Sequence, residues 1–204
     1  MTRSTLASSD CEAIREGFLG QPVNALSSGA YLVAGAALVA DAAGTSGAHR
    51  HRLVTFGLAV AANGVGGVGY HGPGDRLSRW VHDSALLASL GLILVTDVEG
   101  LRRHPPSRPA ALIVVLASGA AASHPSVSIA AQRVLTALAP VLEVLRRPAR
   151  GYALTAGIGA LVHAGSRTGG RLCRPESRLQ GHALWHLVSA LALWQWGRAR
   201  IATR

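Results

Sequence analysis

Seven continuous apolar segments, at residues 23–43, 53–70, 80–98, 109–122, 126–145, 151–164 and 179–196, fill most of the 204-residue chain and leave short gaps between them. They lack the apolar–polar alternation of a half-buried strand and are rich in Ala and Leu, so each reads as a helix. A lipid-exposed open sheet would leave its backbone unsatisfied, which argues against strands at this hydrophobicity. The expected fold is all-α, a seven-transmembrane-helix bundle forming one domain, with an extramembrane segment at 1–22, helices across 23–197 and a tail at 198–204. Segments 109–122 and 151–164 fall short of the about 17–20 residues a crossing needs. They must recruit polar flanks such as Ser123 and Ser166. Pro22, Pro125 and Pro148 stand where helices should begin, positions at which a missing N–H costs little. Gly64, Gly157 and Gly165 suit close helix contact.

Charged residues make up 15% of the chain, below the quarter or so usual in soluble domains. The formal charge of +10 comes from twenty basic residues, all arginine, which brings nucleic acid into question. The arginines gather in the gaps, as in Arg102-Arg103 and Arg146-Arg147, where membrane loops carry them, so no nucleic-acid partner is expected. No basic, apolar, small-residue leader precedes the first span, which is expected to serve as its own insertion signal. With the N-terminus outside, eleven arginines fall on the inner side and eight on the outer. That bias favours a multi-pass cell-membrane protein with a cytoplasmic C-terminus. Cys11 and Cys173 both fall on the N-terminal side of the membrane. They are either a disulfide, tethering the N-terminal segment to the loop before the last span in an oxidising compartment, or two free thiols.

His182 and His186 are one helical turn apart in Gly181-His182-Ala183-Leu184-Trp185-His186, so both imidazoles leave one face. His71 ends the second apolar run and Asp83 lies early in the third; in a seven-span topology all four approach the same leaflet. Ionisable groups at membrane depth are expensive and mark functional sites. Three neutral imidazoles plus a water make an open tetrahedral zinc site. The pair alone would equally suit hydrogen bonds to neighbouring helices. A haem is a further use of histidines on separate helices, although an i, i+4 pair suits a small ion better than a planar macrocycle. Asp83 is either an acid of the site or a partner for His82 or an arginine.

Beyond this pattern the chain resembles the alkaline ceramidases and the wider CREST superfamily of seven-span metal hydrolases. The resemblance is carried by Cys11-Glu12, Asn24, the Gly-x-Gly-Tyr-His ending at His71, His82-Asp83, and His182-Ala-Leu-Trp-His186, the most specific of these. It implies a Zn2+ held by His71, His182 and His186, with Asp83 as the proton carrier in hydrolysis of the amide of a ceramide-like or other N-acyl lipid that enters from the membrane. Calcium binding by Asp10, Glu12 and Asn24 is implied in part, with Gln21 standing where the family offers an acid. One departure is Gly67, where the family has a serine four residues before its first histidine ligand; Asn63, a turn earlier, is either the substitute donor to the oxyanion or a hydrogen-bond partner for an adjacent helix. The same resemblance extends to seven-span receptors, so the alternative is a receptor or transporter-like protein with a structural metal and no hydrolase activity.

The remaining polar and aromatic positions carry smaller expectations. His49, His51, His104 and His124 read as loop residues, and His163 as either an orienting group for a ligand or a packing residue. Trp185, Trp194 and Trp196 read as interface anchors and core contacts, and Arg133 as either snorkelling outward or facing inward.

Overall fold

The computed structural model describes residues 7–146 and 150–202, so Pro148 and the gap and terminal arginines Arg3, Arg147 and Arg204 lie outside the described residues. Among the described residues the regular elements are helical and no strand occurs. They are α1 (Pro22–Ser27), α2 (Gly29–Asp41), α3 (Gly47–His71), α4 (Arg76–Leu101), α5 (Arg108–Ala122), α6 (Pro125–Leu145), α7 (Arg150–Ser166) and α8 (Gly181–Gly197). Pro22 and Pro125 open α1 and α6, as the missing donor allows. Ser107 caps α5 by accepting from Ala110 N, and Asp75 caps α4 by accepting from Ser78 N.

Four stretches are long and apolar enough to cross a membrane: Pro22–Gly44, which joins α1 and α2, then Gly47–His71, Arg76–Leu101 and Pro125–Leu145. Arg108–Ala122 is apolar but shorter. At 17 residues each, α7 and α8 reach about 25 Å at 1.5 Å per residue. Large apolar side chains, among them Val33, Leu58, Leu112, Val144 and Leu161, stay exposed on the helix exteriors, an outer surface suited to lipid.

The helices overrun the apolar segments at their polar ends, and this corrects several expectations. α3 begins at Gly47, so His49, His51 and Arg52 lie in its first turns rather than in a loop. The backbone ladder continues through polar residues once a helix has been nucleated, whereas hydropathy marks only the apolar part. Arg52 is fully buried and pairs with Glu99 at 3.1 Å; Arg146 turns inward onto Asp97 at 2.6 Å; Arg200 meets Glu143 at 2.7 Å. Part of the charge read as solvated loop therefore closes one end of the bundle with buried ion pairs. α8 starts at Gly181, two residues after the expected Leu179, which is 89% exposed. Arg133 is exposed on α6.

α3 is central, packed between α2 and α4, while α5 and α6 flank α4 and α8 lies between α2 and α7. Small residues set these approaches. A Cβ on Gly57 would lie 2.9 Å from Gly35 O, and one on Gly64 would lie 2.9 Å from Leu32. Gly165 lies instead against Leu172 in the turn that follows α7, and nothing lies within 4 Å of a Cβ at Gly157, so close helix contact is the role of neither. Leu38, Leu53, Phe56, Val60, Leu92 and Trp196 form the core, with the Phe56 and Trp196 rings 5.0 Å apart. α6 and α7, although consecutive, do not pack along their lengths.

The segment before α1 is tied down rather than free. Cys11 and Cys173 form a disulfide with Cα atoms 5.5 Å apart, deciding between the bridged and free-thiol readings. Thr168 N donates to Ser9 O, Ala13 N to Pro175 O, and Gln21 N to His71 O at 2.7 Å. This strap lies across the ends of α3 and α8.

Candidate metal centre

α3 ends at His71 because Gly72 leaves the helical region, with ψ at −107°. α8 begins at Gly181 and carries His182 and His186 in its first turns. The three side chains, on helices separated by more than a hundred residues, meet. Each is buried, and one nitrogen of each lies within 4.8 Å of the others. Ring centroids are 5.1 Å apart for His71–His182, 5.2 Å for His71–His186 and 4.6 Å for His182–His186. Among the described residues this is the group of metal-ligating side chains close enough to share an ion.

The surrounding hydrogen bonds orient the rings. Gln21 Nε2 donates to Ala7 O and Glu12 O, at 3.0 and 2.6 Å, which turns Oε1 toward His71 Nδ1 at 2.7 Å. A carbonyl oxygen only accepts, so His71 carries its proton on Nδ1 and keeps the Nε2 lone pair for a ligand. The Ser27 hydroxyl donates to Asn24 O at 3.0 Å, so its oxygen accepts from His186 Nδ1 at 2.9 Å, and again Nε2 is left. Behind His182 stands Asp10, with Oδ1 3.9 Å from Nδ1, a buried nitrogen that has no hydrogen-bond partner. Burial pushes the Asp10 carboxyl above its ordinary range, opposed by Arg167 at 3.1 Å and by the Ser9 hydroxyl. A glutamine behind His71 and a serine behind His186 form the kind of outer shell that fixes tautomer and ring direction at metal sites, while Asp10 stands near the third ring without a hydrogen bond to it. Neutral imidazoles in that state suit zinc.

Sequence reasoning did not find Gln21, Ser27 or Asp10 in these roles. All three belong to the strap or to α1, and no periodicity ties them to His71 or His186. The proline after Gln21 marks only a helix start. The calcium expectation meets a different arrangement. Glu12 accepts from Val23 N and Asn24 N, at 3.0 and 2.8 Å, and so caps α1; Asn24 Nδ2 donates to Asp10 O and Gln21 Oε1; Asp10 faces Arg167. Both carboxylates are engaged in this way, while Asn24 Oδ1 is buried without a partner.

Asp83 is buried on α4 and held by others: Ser128 Oγ donates to Oδ2 at 2.9 Å, His82 Nδ1 lies 3.1 Å from Oδ1, and Arg79 Nε is 3.6 Å from Oδ2. It falls outside the group of ligand nitrogens. The Tyr70 ring stacks on His82 at 4.6 Å, next to His71. Asn63 is buried on α3 with an unpartnered Oδ1. The hydroxyls beside His186 come instead from Ser27 and from Ser28, whose Oγ is 3.4 Å from Nδ1. His163 is half-buried, its ring 5.9 Å from that of His182 and 4.9 Å from Trp185. Trp196 donates to Glu143, and Trp194 carries Arg198 over its face at 5.0 Å, so both anchor the other end.

A cavity of about 50 Å³ between the strap and residues 70–74 reaches His71 and Gln21 from outside the bundle. Comparison with protein families, curated proteins and solved structures finds no match to this chain.

Proposed function

We propose that this chain is an integral membrane zinc-dependent hydrolase of the alkaline ceramidase type, acting on the amide bond of a ceramide-like or other N-acyl lipid. The observation that carries the reading is the convergence of His71 with the turn-spaced pair His182 and His186, each buried and the first and last with Nδ1 hydrogen-bonded. In this reading α1–α2 and α3 to α8 form seven spans, with the histidines near one membrane boundary. The Cys11–Cys173 disulfide supports placing that boundary on the outer, oxidising side, with the C-terminus cytoplasmic.

His71, His182 and His186 would hold the zinc, which when bound supplies Lewis acidity and a nucleophilic water at neutral pH. Asp83 takes a proton from the attacking water and returns it to the departing nitrogen; the C–N bond breaks to leave a fatty acid and an amine. Ser128 and His82 keep that carboxylate in place. α6, which carries Ser128, and α7, which carries His163, do not pack along one another, which supports lateral entry of an acyl chain between them.

The engagement of Asp83 by Ser128, His82 and Arg79 favours a second reading, a seven-span receptor or transporter-like protein in which the metal is structural. Elemental analysis of purified protein, combined with hydrolysis of a fluorogenic N-acyl lipid, separates the two. One zinc per chain with activity lost in Asp83→Asn supports the hydrolase; one zinc without activity supports the alternative. Protein without stoichiometric metal overturns both.

A further inference from the structure

At the other end of α3 a second polar site is built into the fold. Arg52 and His71 are nineteen positions apart on that helix, about 28 Å at 1.5 Å per residue, close to the thickness of a bilayer's hydrocarbon. There the first turns of α3 and α5 enclose a cavity of about 240 Å³ lined by His51, Arg52, Ser107, Arg108, Leu112 and Val115.

Arg52 is 1% exposed, and its guanidinium is committed at both Nη groups, with Nη1 also 3.1 Å from Glu99 Oε2, so that Nε alone lacks an acceptor. Nη1 donates to Thr96 Oγ1 at 2.6 Å, and Nη2 to Glu99 Oε1 and Ser107 O, at 3.1 and 3.0 Å. Nε is buried without an acceptor, an arrangement that costs free energy unless a ligand supplies one. The acid at this place, Glu99, accepts at Oε1 from Arg52 and from Ser107 N at 3.0 Å, while Oε2 has only the ion pair with Arg52 and no hydrogen bond. Two further cationic or polar groups, His51 and Arg108, stand exposed at the rim. Both helices present their N-terminal ends here, adding partial positive charge. On the apolar wall Leu112 and Val115, 60% and 38% exposed, run onto the lipid-suited exterior of α5.

We propose that this cavity binds the phosphate-bearing headgroup of an anionic lipid, with its acyl chain along Leu112 and Val115, in the leaflet opposite the histidine centre. The phosphate meets Arg52 and Arg108 through charge-assisted hydrogen bonds. The apolar wall distinguishes a lipid from a free anion. The proposal rests on the membrane reading but not on the metal or on any hydrolase activity, so it survives failure of either.

The test titrates purified full-length protein in uncharged detergent with dioctanoyl phosphatidylglycerol, dioctanoyl phosphatidylcholine and sodium phosphate in turn, reading the shift in Tm and the adducts in native mass spectra. Phosphatidylglycerol should raise Tm and form a one-to-one adduct at about tenfold lower concentration than phosphatidylcholine, the factor expected from one good charge-assisted contact. Arg108→Gln and Leu112→Trp, both at exposed positions, should each abolish that advantage while helix content by circular dichroism stays unchanged. Equal responses to the two lipids, or undiminished preference in both variants, would overturn the proposal. An equal Tm shift with sodium phosphate at matched concentration would also overturn it, as the site would then serve a free anion.

Discussion

Ser28 fills the space that a side chain at residue 67 would need: a Cβ built on Gly67 would lie 2.7 Å from Ser28 Oγ and 2.9 Å from Ser28 Cβ. A hydroxyl from Ser28, the residue between α1 and α2, thus stands where α3 offers none, and it stands beside His186. Placing a serine at residue 67 is therefore not neutral. Gly67→Ser should push α1 from α3 and destabilise by about 1–3 kcal/mol, as overpacking does. Ser28→Gly should recover most of that loss in the double variant, whereas Ser28→Ala, which keeps the crowding Cβ, should not. Thermal unfolding of the wild type, the three single variants and the two double variants measures the coupling; additive effects would show that the two positions do not compete for one space.

In the proposed zinc site, Gln21 would act on the metal through His71. Replacing it with Met keeps the bulk but removes the acceptor that fixes the His71 tautomer. Zinc affinity should fall about 10- to 100-fold, the usual cost of losing such a partner, with His71→Ala falling further. Competition against a chelator of known affinity gives the values. An unchanged affinity in Gln21→Met would show that His71 needs no support from the strap.

The disulfide holds the strap that carries Asp10 and Gln21. Cys11→Ser should lower stability by about 2–5 kcal/mol, as loss of a native bridge commonly does, and should speed zinc release to a chelator. The same acceleration is expected when wild-type protein is treated with a reductant. Release rates that ignore both treatments would place the strap outside metal retention.

At the opposite end, Arg146 neutralises Asp97, whose carboxyl is fully buried. Arg146→Met leaves a buried carboxylate uncompensated and should cost about 3–5 kcal/mol. The double variant with Asp97→Leu should return near the wild-type midpoint, while zinc content stays the same in both. Failure of the second substitution to restore stability would mean that Arg146 acts through other contacts.

Asp75 offers a pH test away from the metal. Its hydrogen bond from Ser78 N holds the carboxyl below the ordinary value of 3.8, so the fold favours the charged form. The cap's contribution is complete above that ordinary value and is lost as pH falls through the lowered one. Asp75→Ala should therefore increase amide exchange in the first turn of α4 at pH 6, and the difference from wild type should shrink steadily as the pH is taken below 4. A difference that persisted at low pH would point to packing rather than charge.

Much of the fold is legible in the chain because hydropathy is a local quantity. The apolar runs from 53–70 to 179–196 each became the body of a helix, the run 23–43 was divided at Ser28 into α1 and α2, and the turn spacing of His182 and His186 put both rings on one face before any tertiary contact was known. The ends were read less well. Arg52 looks like a loop cation in sequence, yet it is buried against Glu99 and Thr96, because nothing local reveals which helix will supply its partners. Gly157 and Gly64 look alike as letters, and only the neighbour across the interface separates packing from open space.

By itself, the sequence determined an all-α chain with helices apolar enough for a membrane and three histidines toward one end of it, since burial cost and helical period act along the chain. Tertiary structure alone decided that His71 meets His182 and His186, that Gln21, Ser27 and Asp10 stand behind them, and that Asp83 is held by Ser128 and His82. The reason is geometric: a hydrogen-bond partner or a metal ligand is set by distance in space, and α3, α8 and the strap are brought together only by packing and by the bond between Cys11 and Cys173.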